Sequence, residues 1–233
     1  RIQWEKNSPP CVRSHPLEDN MIIPEKKISR DEGRLPLVID VTRRIKKEIG
    51  DQVALYGLFC GPYTLASHLR GTNFFRDMRK NPDYVHQLMD YCTELGIQMA
   101  DMYIDEGVDV IVPTDPVVSQ VSPKHFNEFI AGPYKKLFDH IRARGKFSGF
   151  FVCGNATHLM EPMCKTGPDS INIDENVDIK AAHAVCTANN VVIGGNVPLT
   201  TSLLLGNQLD NMKAGIELLD LMDVKKDFVF APG

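Results

Sequence analysis

Six short segments concentrate the side chains that can do chemistry. They are Cys60-Gly61-Pro62-Tyr63-Thr64, Pro113-Thr114-Asp115-Pro116, Cys153-Gly154-Asn155, Asp174-Glu175-Asn176, Gly194-Gly195-Asn196-Val197-Pro198 and the terminal Pro232-Gly233. Thiols at 60 and 153 suit a nucleophile or a soft-metal ligand. Asp115 and Asp174 suit proton transfer or substrate orientation, and Asn155 and Asn196 suit recognition of an amide or carboxylate. Gly, Pro, Asn and Asp are also what tight turns are made of, so each segment taken alone reads first as a turn. Cys153 is either a ligand or thiol of a site or a small apolar residue at a strand end. Asp115 either orients substrate and accepts a proton or forms a turn. His68 is either a proton carrier or a surface histidine. Asp174 and Glu175 are adjacent, so on an extended strand only one can face a pocket, and Asp174 is the candidate.

Each of these segments follows a short apolar run. Residues 53–59, 109–112, 147–152, 170–173, 191–193 and 228–231 read as strands buried on both faces. Helices are expected between them at 36–49, 82–106, 123–131, 133–144, 161–166, 179–188 and 209–222. Leu37, Ile45 and Ile49 form the apolar stripe of the first, with Pro36 in its opening turn. Val85, Leu88, Met89, Cys92, Leu95, Met99 and Met102 form that of the second, with Asn81 as N-cap and Gly107 as stop. Gly132-Pro133 is expected to separate two helices, the first capped by Ser122. Strand-helix alternation means an α/β fold with a parallel sheet. No GxGxxG follows any strand, which removes the main support for a dinucleotide-binding sheet and favours a (β/α)8 barrel. In such a barrel the six segments meet at one mouth.

Composition sets the outer bounds. The 233 residues are 43% apolar and 24% charged, with 26 basic and 30 acidic side chains, values of an ordinary globular protein. Residues 1–47 carry 11 basic and 7 acidic side chains, a modest basic end. No Lys/Arg stripe interleaves with aromatics, which argues against nucleic acid as a partner. No apolar run reaches the roughly 18 residues of a membrane span, and no apolar stretch of the signal-peptide kind follows Arg1. The absent initiator Met predicts further residues upstream. The six cysteines are scattered without a CxxC, as expected of free thiols in a reducing cytoplasm.

The segments also carry a resemblance. Gly61-Pro62-Tyr63-Thr64-Leu65-Ala66 with Leu69-Arg70-Gly71, Gly107-Val108-Asp109, Asp115-Pro116, and Ser122-Pro123 followed by Phe126, Phe129, Pro133 and Tyr134 resemble the uroporphyrinogen decarboxylase superfamily. Cys153-Gly154-Asn155, Asp174-Glu175-Asn176-Val177-Asp178, Gly195-Asn196-Val197 and Ala231-Pro232-Gly233 resemble especially its cobalamin-dependent methyltransferases of the methylcobalamin:coenzyme M type. The resemblance implies a (β/α)8 TIM barrel, here a single truncated domain spanning 1–233 with six of the strand-helix units and the first two strands missing. It likens residues 1–11 to a hairpin ahead of the third strand. Exposed sheet edges would follow, which a second copy of the chain could cover.

The methyltransferase branch implies zinc held by a His-X-Cys on the fifth strand and a Cys after the eighth, with a thiol substrate attacking a methyl group carried by a corrinoid on a partner protein. Cys153 matches the first Cys, Phe151 stands at the His, and the last Cys falls after Gly233, so Cys153 is the one family ligand this chain supplies. The decarboxylase branch implies a tetrapyrrole ligand held by arginines and an aspartate from the first strands. Its Tyr matches His68 and its Ser matches Pro116, departures that disfavour uroporphyrinogen decarboxylation itself; Phe151 resembles that branch. The expected function is corrinoid-dependent methyl transfer to a thiol or similar acceptor, with Asp115, Asp174 and His68 catalytic, Tyr63, Thr64, Asn155 and Asn196 binding substrate, and Cys153 on zinc. The rival readings are a tetrapyrrole decarboxylase and a degenerate barrel that binds without turnover.

Overall fold

β-branched runs and amphipathic helices alternate along the chain, and they pack as a curved parallel sheet backed by helices. The computed structural model describes residues 2–3, 6, 11–25, 27–222 and 227–233. Two short strands, β1 (Ile2–Gln3) and β2 (Cys11–Val12), pair antiparallel, while most of the intervening hairpin expected at 1–11 lies outside the described residues. Then follow α1 (Leu35–Ile49), β3 (Tyr56–Cys60), α2 (Pro62–Arg70), α3 (Asn73–Lys80), α4 (Pro82–Asp105), β4 (Val110–Thr114), α5 (Pro123–His125), α6 (Ala131–Ala143), β5 (Phe147–Val152), α7 (Met160–Lys165), β6 (Ser170–Ile173), α8 (Ile179–Ala188), β7 (Val192–Val197), α9 (Gln208–Met222) and β8 (Phe228–Pro232).

The six strands β3 to β8 hydrogen-bond in sequential order, every pair parallel. A doubly wound sheet reverses its strand order at a switch point, whereas a barrel wall does not. The side-chain alternation agrees with a barrel wall. Ile111, Phe150, Ile171 and Ile193 point outward and are fully buried under the helices. Leu58, Val112, Phe151 and Asn172 point to the concave side and line a cavity there. The outer core centres on Phe150, which stacks on Tyr134 with ring centroids 4.2 Å apart and meets Phe138 and Phe126.

Several expected elements come out differently. Strands β4 and β7 run further than expected, so Thr114 and Asn196 lie within strands instead of after them. Gly132-Pro133 does not separate two helices: α5 continues through a π-helical turn at Phe126–Ile130 directly into α6. Pro133 falls in the first turn of α6, where its missing N–H is tolerated, and the wider turn absorbs the change in hydrogen-bond register. Ser122 does cap this rod, accepting from the His125 N–H at 3.3 Å. Asn81 does not cap α4 with its side chain, which donates to Asp77 Oδ1 instead. The stripe Leu37, Ile45 and Ile49 of α1 is exposed and Ile39 is the buried residue, so this helix turns its strongest apolar face away from the sheet. Helices α2 and α3 have no counterpart among the sequence expectations, although Pro62 is a favoured first-turn residue.

Between α2 and α3 lies a buried ion pair. Arg70 Nε donates to Asp77 Oδ2 at 2.7 Å, and Arg70 Nη1 donates to the carbonyls of Leu17, Glu18 and Asn20, tying that loop to the barrel. Arg70→Met strands a buried carboxylate and is expected to cost about 3–5 kcal/mol in urea unfolding, with Arg70→Met/Asp77→Leu recovering most of it. A single variant within about 1 kcal/mol of wild type would contradict this role.

Candidate functional site

The strand ends form two connected groups. At the β3 and β4 exits the centre is Asp115, fully buried. Its carboxylate accepts from the backbone N–H of Tyr63 at 3.0 Å and of Thr64 at 2.8 Å, and from the hydroxyls of Thr64 and Tyr134. Gly61, the residue before α2, offers no side chain to cap it, and Pro62 has no N–H. Asp115 therefore supplies from another strand the cap that the second and third residues of α2 need, with its charge at the positive end of the helix. Burial pushes its carboxyl up to about 6 against the opposing pull of these donors.

At the β5, β6 and β7 exits the centre is Asp174. Its Oδ2 accepts from the Gly154 N–H at 2.7 Å, and its Oδ1 accepts from the N–H and side-chain amide of Asn176. Burial would raise this carboxyl, but the Gly154 and Asn176 donors together hold it below the ordinary aspartate value. Asn196 donates its amide to the carbonyls of Asp174 and Val177, at 3.1 and 2.9 Å. Phe151 pairs with Asn172 and Asn172 with Gly194. Two residues further on, the same register sets Cys153 beside Asp174 and Asp174 beside Asn196, one layer of the barrel wall. Burial and the Asp174 charge push the Cys153 thiol up, so it is protonated at neutral pH. Beneath this layer the concave side holds a cavity of about 370 Å³, lined by Tyr56, Leu58, Val112, Phe151, Asn172, Val229, Ala231 and Pro232.

The structure thus brings Cys153, Asp174 and Asn196 together and places the other candidates elsewhere. Tyr63 is fully buried and directs its hydroxyl at the Met78 sulfur, so it packs α2 on α3. Thr64 is buried on Asp115. Asp115 has its lone pairs taken up by α2 and Tyr134, an arrangement that positions an exit. Asn155 turns its carbonyl back on Thr157, accepting from both N–H and hydroxyl and starting the next turn. His68 is exposed near the end of α2; its carbonyl contacts His15, and partial burial and the His15 charge lower its imidazole pKa. Glu175 points the other way from Asp174 and accepts from Thr200. Two residues of the region had no role assigned from the sequence. Tyr134 gives no local signal of its bond to Asp115. Asn172 has one, since it lies two residues before Asp174 on the same face of an apolar strand.

The residues present do not fit a three-ligand zinc site at Cys153. Phe151 has no lone pair to offer, and His158 Nε2 is 2.8 Å from the Val121 carbonyl. Among the described residues no cluster of three His, Cys, Asp or Glu side chains could hold a metal ion. Among them, too, no helix is long and apolar enough to cross a membrane.

Sequential parallel strands, a helical outer layer and polar groups gathered where the strands end define an α/β barrel wall of the TIM type. Comparison with known proteins narrows this class. The uroporphyrinogen decarboxylase (URO-D) family model matches residues 1–233, and the chain belongs to that family. It is 30% identical over 198 residues to the methylcobamide:CoM methyltransferase MtbA of Methanosarcina acetivorans, covering 84% of this chain and 58% of the relative. It is 28% identical over 191 residues to a uroporphyrinogen decarboxylase of a Wolbachia species, covering 78% of this chain and 53% of the relative. A solved methyltransferase from Methanosarcina mazei superposes with a TM-score of 0.88 at 27% identity, over 100% of this chain and 68% of that one. The chain therefore spans little more than half the length of the curated relatives it matches.

Two measurements test these groups. Asp115 has a folded-state pKa above that of an unfolded aspartate. Its contribution to stability is complete below about pH 4 and is lost as pH rises towards about 6, because the unfolded chain ionises first. Urea midpoints are expected to fall across that window in the wild type relative to Asp115→Asn; a difference independent of pH would contradict it. At the second group, Asp174→Asn removes the anion that adds to burial in pushing the Cys153 thiol up. Iodoacetamide labelling of Cys153 at pH 7.5 is expected to speed up by about three- to tenfold. An unchanged rate would separate the two side chains.

Proposed function

We propose that the protein is a methyltransferase that moves a methyl group from a corrinoid, carried on a partner protein, to a small thiol or similar acceptor seated in the barrel. The observation that carries this reading is the shared layer of Cys153, Asp174 and Asn196 above an apolar cavity. The methylcobamide:CoM methyltransferases among the relatives supply the reaction class.

The corrinoid supplies the methyl group. The chain supplies the acceptor's surroundings. Asp174 is ionised, and its Oδ2, which accepts from Gly154 alone, can also accept the hydrogen bond of an acceptor S–H. Asn196 fixes the Asp174 backbone through two carbonyls, and Cys153 walls the same layer as a neutral thiol. The apolar cavity below removes water from the acceptor's other end. On transfer the corrinoid would keep the electron pair of the bond it gives up, and the acceptor's S–H proton would pass to Asp174 and from there to solvent. Asp115, through the start of α2, is a positioning residue in this scheme. His68 has no bond to the mouth and takes no part. Of the zinc ligands that the resemblance implies, this chain supplies Cys153 alone.

Phe151, at the place of the methyltransferase histidine, favours a second reading, decarboxylation of a tetrapyrrole carboxylate. One experiment separates the two. The protein is incubated with methylcobalamin and 2-mercaptoethanesulfonate or 3-mercaptopropionamide, and separately with uroporphyrinogen. Methyl thioether is expected, with Asp174→Asn slower by about 10- to 100-fold. Loss of carboxyl groups from uroporphyrinogen with no thioether formed would overturn the proposal.

A further inference from the structure

Helices α7 and α8 pack together and carry two thiols that meet between them. Cys164 lies one residue before the end of α7, and Cys186 lies two residues before the end of α8. Their sulfurs are 3.8 Å apart. Both side chains are buried, Cys164 keeping 4% exposure and Cys186 none. Their backbones are anchored as well. The Cys164 carbonyl accepts from the Gly167 N–H at 3.0 Å in the turn that leads to β6. The Cys186 carbonyl accepts from the N–H groups of Asn189 at 3.0 Å and Val191 at 2.9 Å in the turn that leads to β7. Helix and turn thus hold both residues, and the fold itself keeps the sulfurs side by side.

A single buried cysteine packs as a small apolar residue and asks for nothing more. Two in contact can do chemistry that one cannot. A disulfide holds its sulfurs about 2.05 Å apart, so the pair must close by roughly 2 Å, a movement of the size that rotation about the Cα–Cβ bonds supplies. The two thiols are also unequal. The hydrogen bond from Cys186 draws the Cys164 thiol below the ordinary cysteine value against the effect of burial. The same bond, together with burial, pushes the Cys186 thiol up. Cys164 therefore ionises first, and it is also the one that keeps some access to solvent.

We propose that Cys164 and Cys186 are an oxidation site, converted by hydrogen peroxide into a disulfide that clamps the β6 unit. The Cys164 thiolate attacks one peroxide oxygen, the O–O bond breaks, and a sulfenic acid forms as hydroxide leaves and takes up a proton. The Cys186 sulfur then attacks the sulfenic sulfur, the S–O bond breaks, and a second water leaves with the Cys186 proton. The thiols together lose a pair of electrons and a pair of protons, and the peroxide is reduced to water. The chain enclosed by the new bond contains β6 and, at its exit, Asp174, Glu175 and Asn176. Closing that loop restricts the unfolded chain and so favours the folded barrel. The inference goes beyond the methyl-transfer reading and does not depend on it.

The test uses the full chain, reduced, freed of reductant and treated with hydrogen peroxide. Remaining thiols are blocked with N-ethylmaleimide and the protein is digested for peptide mass mapping. A peptide linked through Cys164 and Cys186 is expected, lighter by a pair of hydrogens than its reduced parts and abolished by dithiothreitol. The oxidised protein should melt about 5–10 °C above the reduced one. Cys186→Ala should stop the reaction at a Cys164 sulfenic acid that dimedone traps, whereas the wild type should give little adduct. Should that variant fail to fold, the linked peptide and the melting shift in the wild type decide. Free Cys164 and Cys186 after the exposed Cys11 has been oxidised would overturn the inference. So would a linked peptide that forms no faster in the folded protein than in urea, or one that leaves the melting temperature unchanged or lower.

Discussion

One buried carboxylate holds the amino-terminal half of the barrel mouth in place. Asp115 ends β4, caps α2 across the gap from β3, and takes the hydroxyl of Tyr134 from α6. Three elements distant in sequence thereby converge on two oxygen atoms. The cap cannot be local, since Gly61 has no side chain and Pro62 no N–H. A Cβ at Gly61 would come within 2.3 Å of the Tyr134 hydroxyl and 2.6 Å of Asp115 Oδ2, so glycine is required there by close approach. Tyr134 in turn stacks on Phe150 of β5, which carries the constraint into the outer core. The third and fourth exits are thus rigid before any ligand arrives, the condition for placing reacting groups well.

Asp174 does the corresponding work on the other side with the opposite electrostatics. It is only partly buried and sits among backbone donors, so it stays ionised where Asp115 resists ionisation. Through the Gly154 N–H it fixes the loop that carries Cys153, and through its carbonyl it receives Asn196. Two aspartates at equivalent ends of β4 and β6 therefore have different tasks: one braces a helix, the other stays ionised at the strand exits. The negative charge of the second also keeps the neighbouring thiol neutral, so without a cation Cys153 is part of the wall.

Much of this was legible in the sequence, because it depends on periodicity. Apolar runs of four to six residues such as Phe147–Val152 and Ser170–Ile173 announce buried parallel strands, and the residues after them announce a common mouth. Cys153, Asp174 and Asn196 could be grouped by that rule alone. What the rule cannot reach is which way a side chain turns at an exit. Asp115 and Asp174 look alike in sequence, and only the packing of α2 and α6 separates them. The helix break expected at Gly132-Pro133 failed because proline is tolerated in a first turn. The stripe of α1 was visible, but its direction depends on which neighbours stand beside it. Asn172 was overlooked because its setting comes from glycines on two other strands, a fact of register.

The account stands on the layer of Cys153, Asp174 and Asn196 being the place where ligands meet the protein. Amide chemical-shift mapping of the 15N-labelled protein with methylcobalamin and 3-mercaptopropionamide tests this most directly. The shifts are expected to concentrate at Gly154, Asp174 to Asn176 and Asn196, with a further shift at Asn172 in the cavity. Shifts confined to the exposed faces of α1 and α9, with the Gly154 and Asn196 amides unmoved, would contradict it.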